Sequence, residues 1–265
     1  MSDDRAAAYI ALCADLEAEH RSLAGVLASA TVDFDADTPA EGWTIRDQLS
    51  HLAGFDEAAT TSLSDPDAFR AELARRIAEG DDPIEGYRRR GRAGSASSVI
   101  AWWADANRAL LDAAAEADPR HRVPWYGPDM SVMSSITARV METWAHGVDI
   151  RDALGVGPEA TRRLRHVCHI GVGARPFAYA IREMAVPDEP VDVVLDSPDG
   201  TTWSWGPGGA ADVISGSALG FALLATQRRH ADDTDVTATG DAAREWLGIL
   251  QAFAGPPGTG RAPLP

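Results

Sequence analysis

Apolar residues in the first 154 positions recur at intervals of three, four and seven, which is the spacing of amphipathic α-helices. The first series consists of Tyr9, Leu12, Leu16, Leu23 and Leu27. Together, the series predict helices over residues 6–30, from residue 44 onward, and over 67–80, 95–117 and 131–154. Thr44 and Asp47 are spaced as a capping box at the start of the second helix. The sum of these segments is an antiparallel helix bundle.

The pattern changes after a boundary at residues 155–158. Residues 159–184 remain mostly helical, and then Val191, Val193 and Leu195 alternate with polar residues. A Ser-Pro-Asp-Gly turn and a second short strand follow, which predicts a β-hairpin. Residues 212–217 and 235–239 are predicted as strands, and residues 219–229 and 242–254 as helices. The predicted fold class is therefore α+β, with a helix bundle in residues 1–157 and a small α+β domain in residues 158–265.

Charge and composition restrict the partners of the chain. Its net charge is -16, and all 24 of its basic residues are arginine. Phosphate groups repel so acidic a protein, so we expect a small-molecule substrate and neither nucleic acid nor an anionic membrane as partner. The absence of lysine excludes Schiff-base catalysis by this residue.

Cysteine usage and the lack of leader segments predict a cytoplasmic protein. We also expect it to be a monomer or a homodimer. Cys13 and Cys168 are too few for a disulfide framework. The first residues lack the basic and apolar regions of a signal peptide. The longest nearly apolar run, residues 218–225, is far shorter than a membrane span of about 20 residues.

The segment around residue 146 contains the strongest candidate chemistry. Glu142 and His146 lie four residues apart on the fifth predicted helix, so both side chains project from one face. A carboxylate and an imidazole in this arrangement can share a divalent metal, and His51 is the candidate third ligand. Asp47 and Asp149 lie one turn from His51 and His146 and could orient the two imidazoles.

From spacing alone, a second interpretation stays open. His51 could be a hydrogen-bonded core histidine, with Glu142 and His146 an ordinary surface pair. A ligand set of two imidazoles and a carboxylate suits Zn²⁺, and also Ni²⁺, Fe²⁺ or Mn²⁺. Three protein ligands would leave a coordination position open for water or substrate, as in catalytic metal sites.

Two motifs carry a resemblance to a known family. Trp-Thr-Ile-Arg-Asp-Gln-Leu-Ser-His-Leu is followed about ninety residues later by Glu-Thr-Trp-Ala-His-Gly-Val-Asp-Ile. The pair resembles the DinB-like superfamily, and within it the mycothiol-dependent maleylpyruvate isomerase group. The resemblance implies a four-helix bundle, a small C-terminal domain like a sterol-carrier protein, and His51, Glu142 and His146 as zinc ligands. It also implies mycothiol as a cosubstrate.

Arg228, Arg229 and His230 end a predicted helix in the second half of the chain. The resemblance implies that one of the arginines binds an anionic group of the substrate near the metal, which a planar guanidinium suits. The alternative is that these residues cap the helix and pair with Asp232 and Asp233. Both interpretations stay open.

For most of the remaining candidate residues, the sequence favours a structural role. The run Arg88, Arg89, Arg90 and Arg92 lies in a predicted solvated connection, residues 85–94. Trp125 and Tyr126 are predicted to be exposed in a loop or to form a lid, and Cys168 to be a small buried residue. His166 and His169, three apart on a helix, could act as acid–base groups.

The sequence thus predicts a metal-dependent enzyme that uses mycothiol in isomerisation or S-transfer on a small electrophile. Two alternatives stay open. The first is a metal-dependent hydrolase, with water in place of the thiol. The second is a non-catalytic carrier of an apolar ligand in the C-terminal domain.

Overall fold

The computed structural model describes residues 2–29 and 31–264, and the chain divides into two compact units between Pro158 and Glu159. The helices of the first unit are α1 (Ser2–Ser29), α2 (Ile45–Ser64), α3 (Pro66–Glu79), α4 (Pro83–Arg92), α5 (Ala96–Glu116) and α6 (Val132–Ala153). Two short strands, β1 (Arg122–Val123) and β2 (Met130–Ser131), pair antiparallel between α5 and α6. The last residue of the predicted first helix, residue 30, lies outside the described residues.

Helices α1, α2, α5 and α6 form the bundle around two apolar clusters. One cluster includes Leu23, Ile45, Leu49, Trp103 and Ile150. The other includes Leu16, Ala59, Leu110, Val132 and Ile136. The early residues of α2 and α5 thus share a cluster with the late residues of α1 and α6. It follows that α2 and α5 run in one direction and α1 and α6 in the other, while α3 and α4 return the chain between α2 and α5.

The capping box that the sequence predicts at the start of α2 is confirmed. The Thr44 side chain accepts a hydrogen bond from the Asp47 backbone N–H, and the Asp47 carboxylate accepts one from the Thr44 N–H. The capping box fixes the first turn of α2, which begins at Ile45. Gln48 and His51 follow on the next turns of the same helix.

The prediction of an irregular connection at residues 85–94 is wrong, because most of it belongs to helix α4. Asp82 caps this helix by accepting a hydrogen bond from the Ile84 N–H, and Pro83 occupies its first turn. Gly91 lies so close to Ser50 of α2 that a β-carbon at Gly91 would overlap the Ser50 hydroxyl. The helix has few apolar residues, so its period was too weak to detect, but it packs closely on α2.

A layer of buried polar side chains crosses the bundle, with one residue from each helix. These residues are His20 of α1, Asp56 of α2, Trp103 of α5 and Arg139 of α6. Arg139 Nε donates to Asp56 Oδ1 at 2.9 Å, and His20 Nε2 lies 3.6 Å from Asp56 Oδ2. Arg139 also donates to the backbone carbonyl of Leu52 at 3.4 Å, which joins α6 to the residue after His51.

The second unit confirms the predicted α+β class. Its elements are α7 (Leu164–Gly173), α8 (Arg175–Ala180), β3 (Val191–Asp196), β4 (Thr202–Trp205), β5 (Asp212–Ser217), α9 (Ala218–Ala225), a 3₁₀ turn (Ala231–Asp233), β6 (Thr237–Thr239) and α10 (Asp241–Gly248). The strand order is β4-β3-β5-β6, with β3 and β5 parallel and the other pairs antiparallel. Among the described residues, no helix has the length and apolar character that a membrane crossing requires.

Helix α9 is shorter than predicted. It ends at Ala225, and Gln227 has a positive φ of 56°, which turns the chain out of the helix. Arg228 and Arg229 therefore follow the helix instead of forming its last turn, and His230 precedes the 3₁₀ turn. The helix was predicted from the apolar run of α9, and nothing in that run indicates the residue at which the helix ends.

Candidate metal centre

Three side chains that the sequence singles out converge in the bundle: His51 from α2, and Glu142 and His146 from α6. Each offers one ligand atom, and these atoms all lie within 4.8 Å of one another. Glu142 Oε2 lies 3.1 Å from His51 Nε2 and 3.4 Å from His146 Nε2. The antiparallel course of α2 and α6 brings residue 51 opposite residue 142, and the four-residue spacing adds His146 on the same face.

The geometry and the donor types fit a divalent metal ion such as zinc. Nitrogen and oxygen ligands lie about 2.0–2.1 Å from zinc, so tetrahedral neighbours are about 3.4 Å apart. The two separations measured from Glu142 Oε2 are close to that value. Two imidazoles and one carboxylate also match the ligand types of catalytic zinc sites, which keep a further position open.

The charge states of the cluster suit metal binding as well. Burial and the neighbouring His146 lower the pKa of His51 to about 4, which leaves its imidazole neutral at pH 7. Burial alone would raise the pKa of Glu142, but the imidazoles of His146 and His51 beside its carboxylate outweigh burial and hold that pKa well below its ordinary value. A neutral imidazole and an ionised carboxylate are the forms that bind metals.

Gln48 fixes the tautomer of His146. Its amide Nε2 donates to the Thr38 hydroxyl at 2.9 Å and to Asp149 Oδ2 at 3.4 Å, so its Oε1 faces His146 Nδ1 and accepts a hydrogen bond from it. The His146 proton is thereby placed on Nδ1, and Nε2 presents a lone pair to the Glu142 carboxylate. Two acceptors face each other there, and a cation between them, or a second proton on His146, makes the contact favourable.

The second carboxylate that the sequence singles out, Asp149, contacts Gln48, which lies against His146. The first, Asp47, does not approach His51 in this way. It is buried and accepts two hydrogen bonds from Arg92, at 2.9 and 2.8 Å, in addition to closing the capping box. Sequence reasoning missed Gln48, although it lies three residues before His51 on the same helix face.

Aromatic rings surround the two histidines. The Trp43 ring lies 5.4 Å from the His51 ring and stacks on His146 at 5.9 Å, and Phe55 lies 4.5 Å from His51. His51 Nδ1 has no hydrogen-bond partner among the described residues, so these ring contacts orient His51. The side chains of His51, His146 and Glu142 are 8%, 13% and 26% exposed, so solvent reaches the cluster mainly beside Glu142.

The prediction of a solvated arginine run is confirmed for Arg89, Arg90 and Arg92, which are exposed, and is wrong for Arg88, which is half-buried. Arg88 lies over the Trp43 ring at 4.8 Å and donates to the Gly42 carbonyl at 2.6 Å. Arg92 pairs with the buried Asp47, and Arg90 lies 3.8 Å from the Trp102 ring centre. The sequence shows only four closely spaced charges, but the fold of α4 directs them to different partners.

Trp125 and Tyr126 are half-buried, which corrects the predicted exposure. Trp125 stacks on Phe69 at 5.7 Å, and Tyr126 contacts Phe55 at 5.4 Å. The Tyr126 hydroxyl lies 3.3 Å from that of Tyr87. Tyr87 and Tyr126 line a cavity of about 340 Å³, and both contact Phe55, which packs on His51. An aromatic wall thus leads from that cavity to the histidine cluster.

Other candidate residues lie in the second unit. Arg228 Nη1 donates to the Thr226 carbonyl at 2.6 Å, and Arg229 Nη1 donates to the Arg228 carbonyl at 2.7 Å. His230 Nδ1 accepts a hydrogen bond from the Asp232 N–H at 3.2 Å. His169 of α7 is exposed, and His166 is half-buried.

The prediction for Cys168 is confirmed. It is fully buried, and burial raises its pKa. Burial also raises the pKa of Cys13, which outweighs the opposite effect of its hydrogen bond with Tyr9. Neither thiol has the environment of a nucleophile.

Because Gln48 contacts His146 and Asp47 contacts Arg92, variants of the two residues should differ in their effect on metal affinity. Gln48→Ala removes the acceptor that holds His146 Nδ1, and we expect metal affinity to fall about 10–100-fold. Asp47→Asn disturbs the capping box and the Arg92 pair, and we expect unchanged metal affinity with a lower melting temperature. Titration with zinc against a competing chelator measures both affinities. Equal affinities in the two variants would contradict the role of Gln48.

Comparison with known proteins relates this chain to one family. Residues 16–151 match the family model described as the mycothiol maleylpyruvate isomerase N-terminal domain. Two uncharacterized proteins of Mycobacterium tuberculosis, from strains CDC 1551 / Oshkosh and H37Rv, are 42% identical over 249 residues. Each alignment covers 94% of this chain and 97% of the relative.

A crystal structure of the mycothiol-dependent maleylpyruvate isomerase is similar in fold. It has a TM-score of 0.53 and 20% sequence identity, and the match covers 87% of this chain and 91% of that one. The structure of a histidine-to-alanine mutant of that enzyme gives the same values. Because the family model spans more than half of the 265 residues, this chain belongs to the mycothiol maleylpyruvate isomerase family.

Proposed function

We propose that this protein is a metal-dependent enzyme that uses mycothiol in isomerisation or S-transfer on a small electrophilic substrate. Family membership supports an isomerase-like function that depends on mycothiol. The proposal of a bound metal ion rests on the convergence of His51, Glu142 and His146, with His146 held by a hydrogen bond to Gln48. Zinc suits this donor set best, and Ni²⁺ or Fe²⁺ are alternatives.

The environments of the cysteines support an external thiol. Burial raises the pKa of both Cys13 and Cys168, so neither supplies a thiolate near neutral pH. A bound divalent ion would supply Lewis acidity that lowers the pKa of a thiol brought to it. A cosubstrate would therefore deliver the nucleophile that the chain itself lacks.

The protein residues around the cluster have defined roles in this proposal. Glu142 is the most exposed ligand, so the cosubstrate would approach from its side. Trp43 and Phe55 keep water from the histidine rings and hold them in position. The cavity beside Tyr87 and Tyr126 offers phenolic hydroxyls that could bind a polar substrate group.

The ligand set predicts the behaviour of histidine variants. His51→Ala and His146→Ala should lose the metal and keep the fold, because each change removes one ligand from a largely apolar bundle. His121→Ala is the matched control, since His121 is exposed in the loop before α6. Elemental analysis and circular dichroism of the purified proteins check this. Full metal occupancy in both ligand variants would contradict the assignment.

The thiol dependence is tested with the metal-loaded protein. We expect turnover of small electrophiles, maleylpyruvate among them, with mycothiol, and background rates with glutathione or without thiol. The His146→Ala variant should also fall to background, whereas His121→Ala should match the unmodified protein. Thiol-independent hydrolysis of the same panel, with no effect of mycothiol, would contradict the proposal and favour a hydrolase.

We also propose that Arg228 or Arg229 binds an anionic group of the substrate. A guanidinium grips a carboxylate through two parallel hydrogen bonds, which lysine cannot reproduce. Contacts with the backbone carbonyls of Thr226 and Arg228 also suit the alternative, in which these side chains support the end of α9.

The two roles of these arginines give different kinetics. Arg228→Lys or Arg229→Lys should raise KM for an anionic substrate at least about tenfold, with unchanged metal content. A neutral ester of the same substrate should be affected less. A loss of thermal stability without a change in KM in either variant would identify a purely structural role.

A further inference from the structure

Helix α4 contributes an arginine to the surroundings of the candidate metal centre, although none of its residues belongs to the ligand set. Arg88 is half-buried, with 17% of its side chain exposed. Its guanidinium carbon lies 4.8 Å from the centre of the Trp43 ring. The Trp43 ring in turn stacks on His146 and meets His51 edge-on, at 5.9 and 5.4 Å. A chain of direct contacts therefore runs from Arg88 to both histidines.

Arg88 also binds the backbone beside that ring. Its Nη2 donates to the Gly42 carbonyl at 2.6 Å and lies 3.5 Å from Asp47 Oδ2, and its Nη1 donates to the Glu85 carboxylate at 3.2 Å. Both terminal nitrogens thus have protein acceptors, and Nε is buried. A guanidinium engaged in this way has little capacity left to bind a ligand, so its contacts favour a role in holding the protein.

No helix fixes the position of the Trp43 ring, because Trp43 lies in the loop before α2. The orientation of His51 depends on its ring neighbours, since its Nδ1 has no hydrogen-bond partner in the part of the chain that the structure describes. The last side-chain torsion of a histidine is broad, so an imidazole without that bond rotates unless packing prevents it. A group that holds the Trp43 ring therefore also limits the rotation of the His51 ring.

We propose that Arg88 is a positioning residue for the candidate metal centre and acts through Trp43. The guanidinium lies within the distance at which it is attracted to an indole ring, and its bond to Gly42 ties the preceding residue to α4. Helix α4 is a firm support, because Gly91 leaves no room for a β-carbon beside Ser50 of α2. The proposal rests on the proposed function only where it concerns metal affinity, since the orientation of the imidazoles is measurable without metal.

Helix α4 also provides a matched control. Arg90 lies 3.8 Å from the Trp102 ring centre and donates to Glu57 at 2.8 Å, so it too contacts an indole and an acceptor. The Trp102 ring contacts Tyr87 at 6.5 Å, and within the described residues no ring contact joins it to His51 or His146. Loss of the Arg90 side chain should therefore leave both imidazoles in place.

The first test uses the full-length protein without metal. We expect Arg88→Met to shift the NMR resonances of the His51 and His146 ring protons in the same direction as Trp43→Leu, because both variants change the position of an aromatic ring beside them. Arg88→Lys keeps the positive charge and should restore part of the shift, and Arg90→Met should match the unmodified protein. Unchanged resonances in Arg88→Met, or equal shifts in Arg90→Met, would overturn the proposal.

The second test adds zinc in competition with a chelator. Arg88→Met should lower zinc affinity about three- to tenfold, less than Gln48→Ala, because Arg88 does not touch a ligand itself. Arg90→Met and Asp47→Asn should keep the affinity of the unmodified protein, and circular dichroism checks that each variant is folded. Unchanged affinity in Arg88→Met would overturn the positioning role. If the unmodified protein binds no zinc, the proposed function fails, and the metal-free resonances alone decide the role of Arg88.

Discussion

The contact between α2 and α6 is the interaction on which the site depends. Polar side chains meet along this seam: Gln48 with His146, His51 with Glu142, and Asp56 with Arg139. Burying such groups is costly unless each finds its partner, so the seam stabilises one register of the two helices more than any shifted one. A shift of one residue would separate His51 from Glu142. The convergence of His51, Glu142 and His146 is therefore a product of helix register as much as of residue type.

The sequence predicted the α+β class, the main helices and the hairpin, because their apolar patterns are long and regular. Spacing and the family resemblance also singled out His51, Glu142 and His146, and their side chains converge in the structure. Sequence reasoning missed α4, whose ten residues contain few apolar positions, and the early end of α9. It also missed Gln48, because a neutral amide has no chemical signature until its partners on other segments, Thr38 and Asp149, are known.

The bundle contains two polar centres of different character. The cluster of His51, Glu142 and His146 brings together three atoms that could bind a metal ion, and Gln48 and two aromatic rings support it. The other centre, formed by His20, Trp103 and Asp56, is joined to the seam by Arg139, which also contacts the carbonyl of Leu52. The four helices of the bundle thus carry two groups of buried polar residues with different character.

The central claim is that the three converging side chains hold a metal ion. Diffraction from zinc-soaked crystals, measured on both sides of the zinc absorption edge, tests it most directly. The account predicts a strong anomalous peak about 2.0–2.2 Å from His51 Nε2, His146 Nε2 and Glu142 Oε2, and none in crystals of the His146→Ala variant. A well-ordered cluster without an anomalous peak would contradict the account, because the histidines and the carboxylate would then only bind one another.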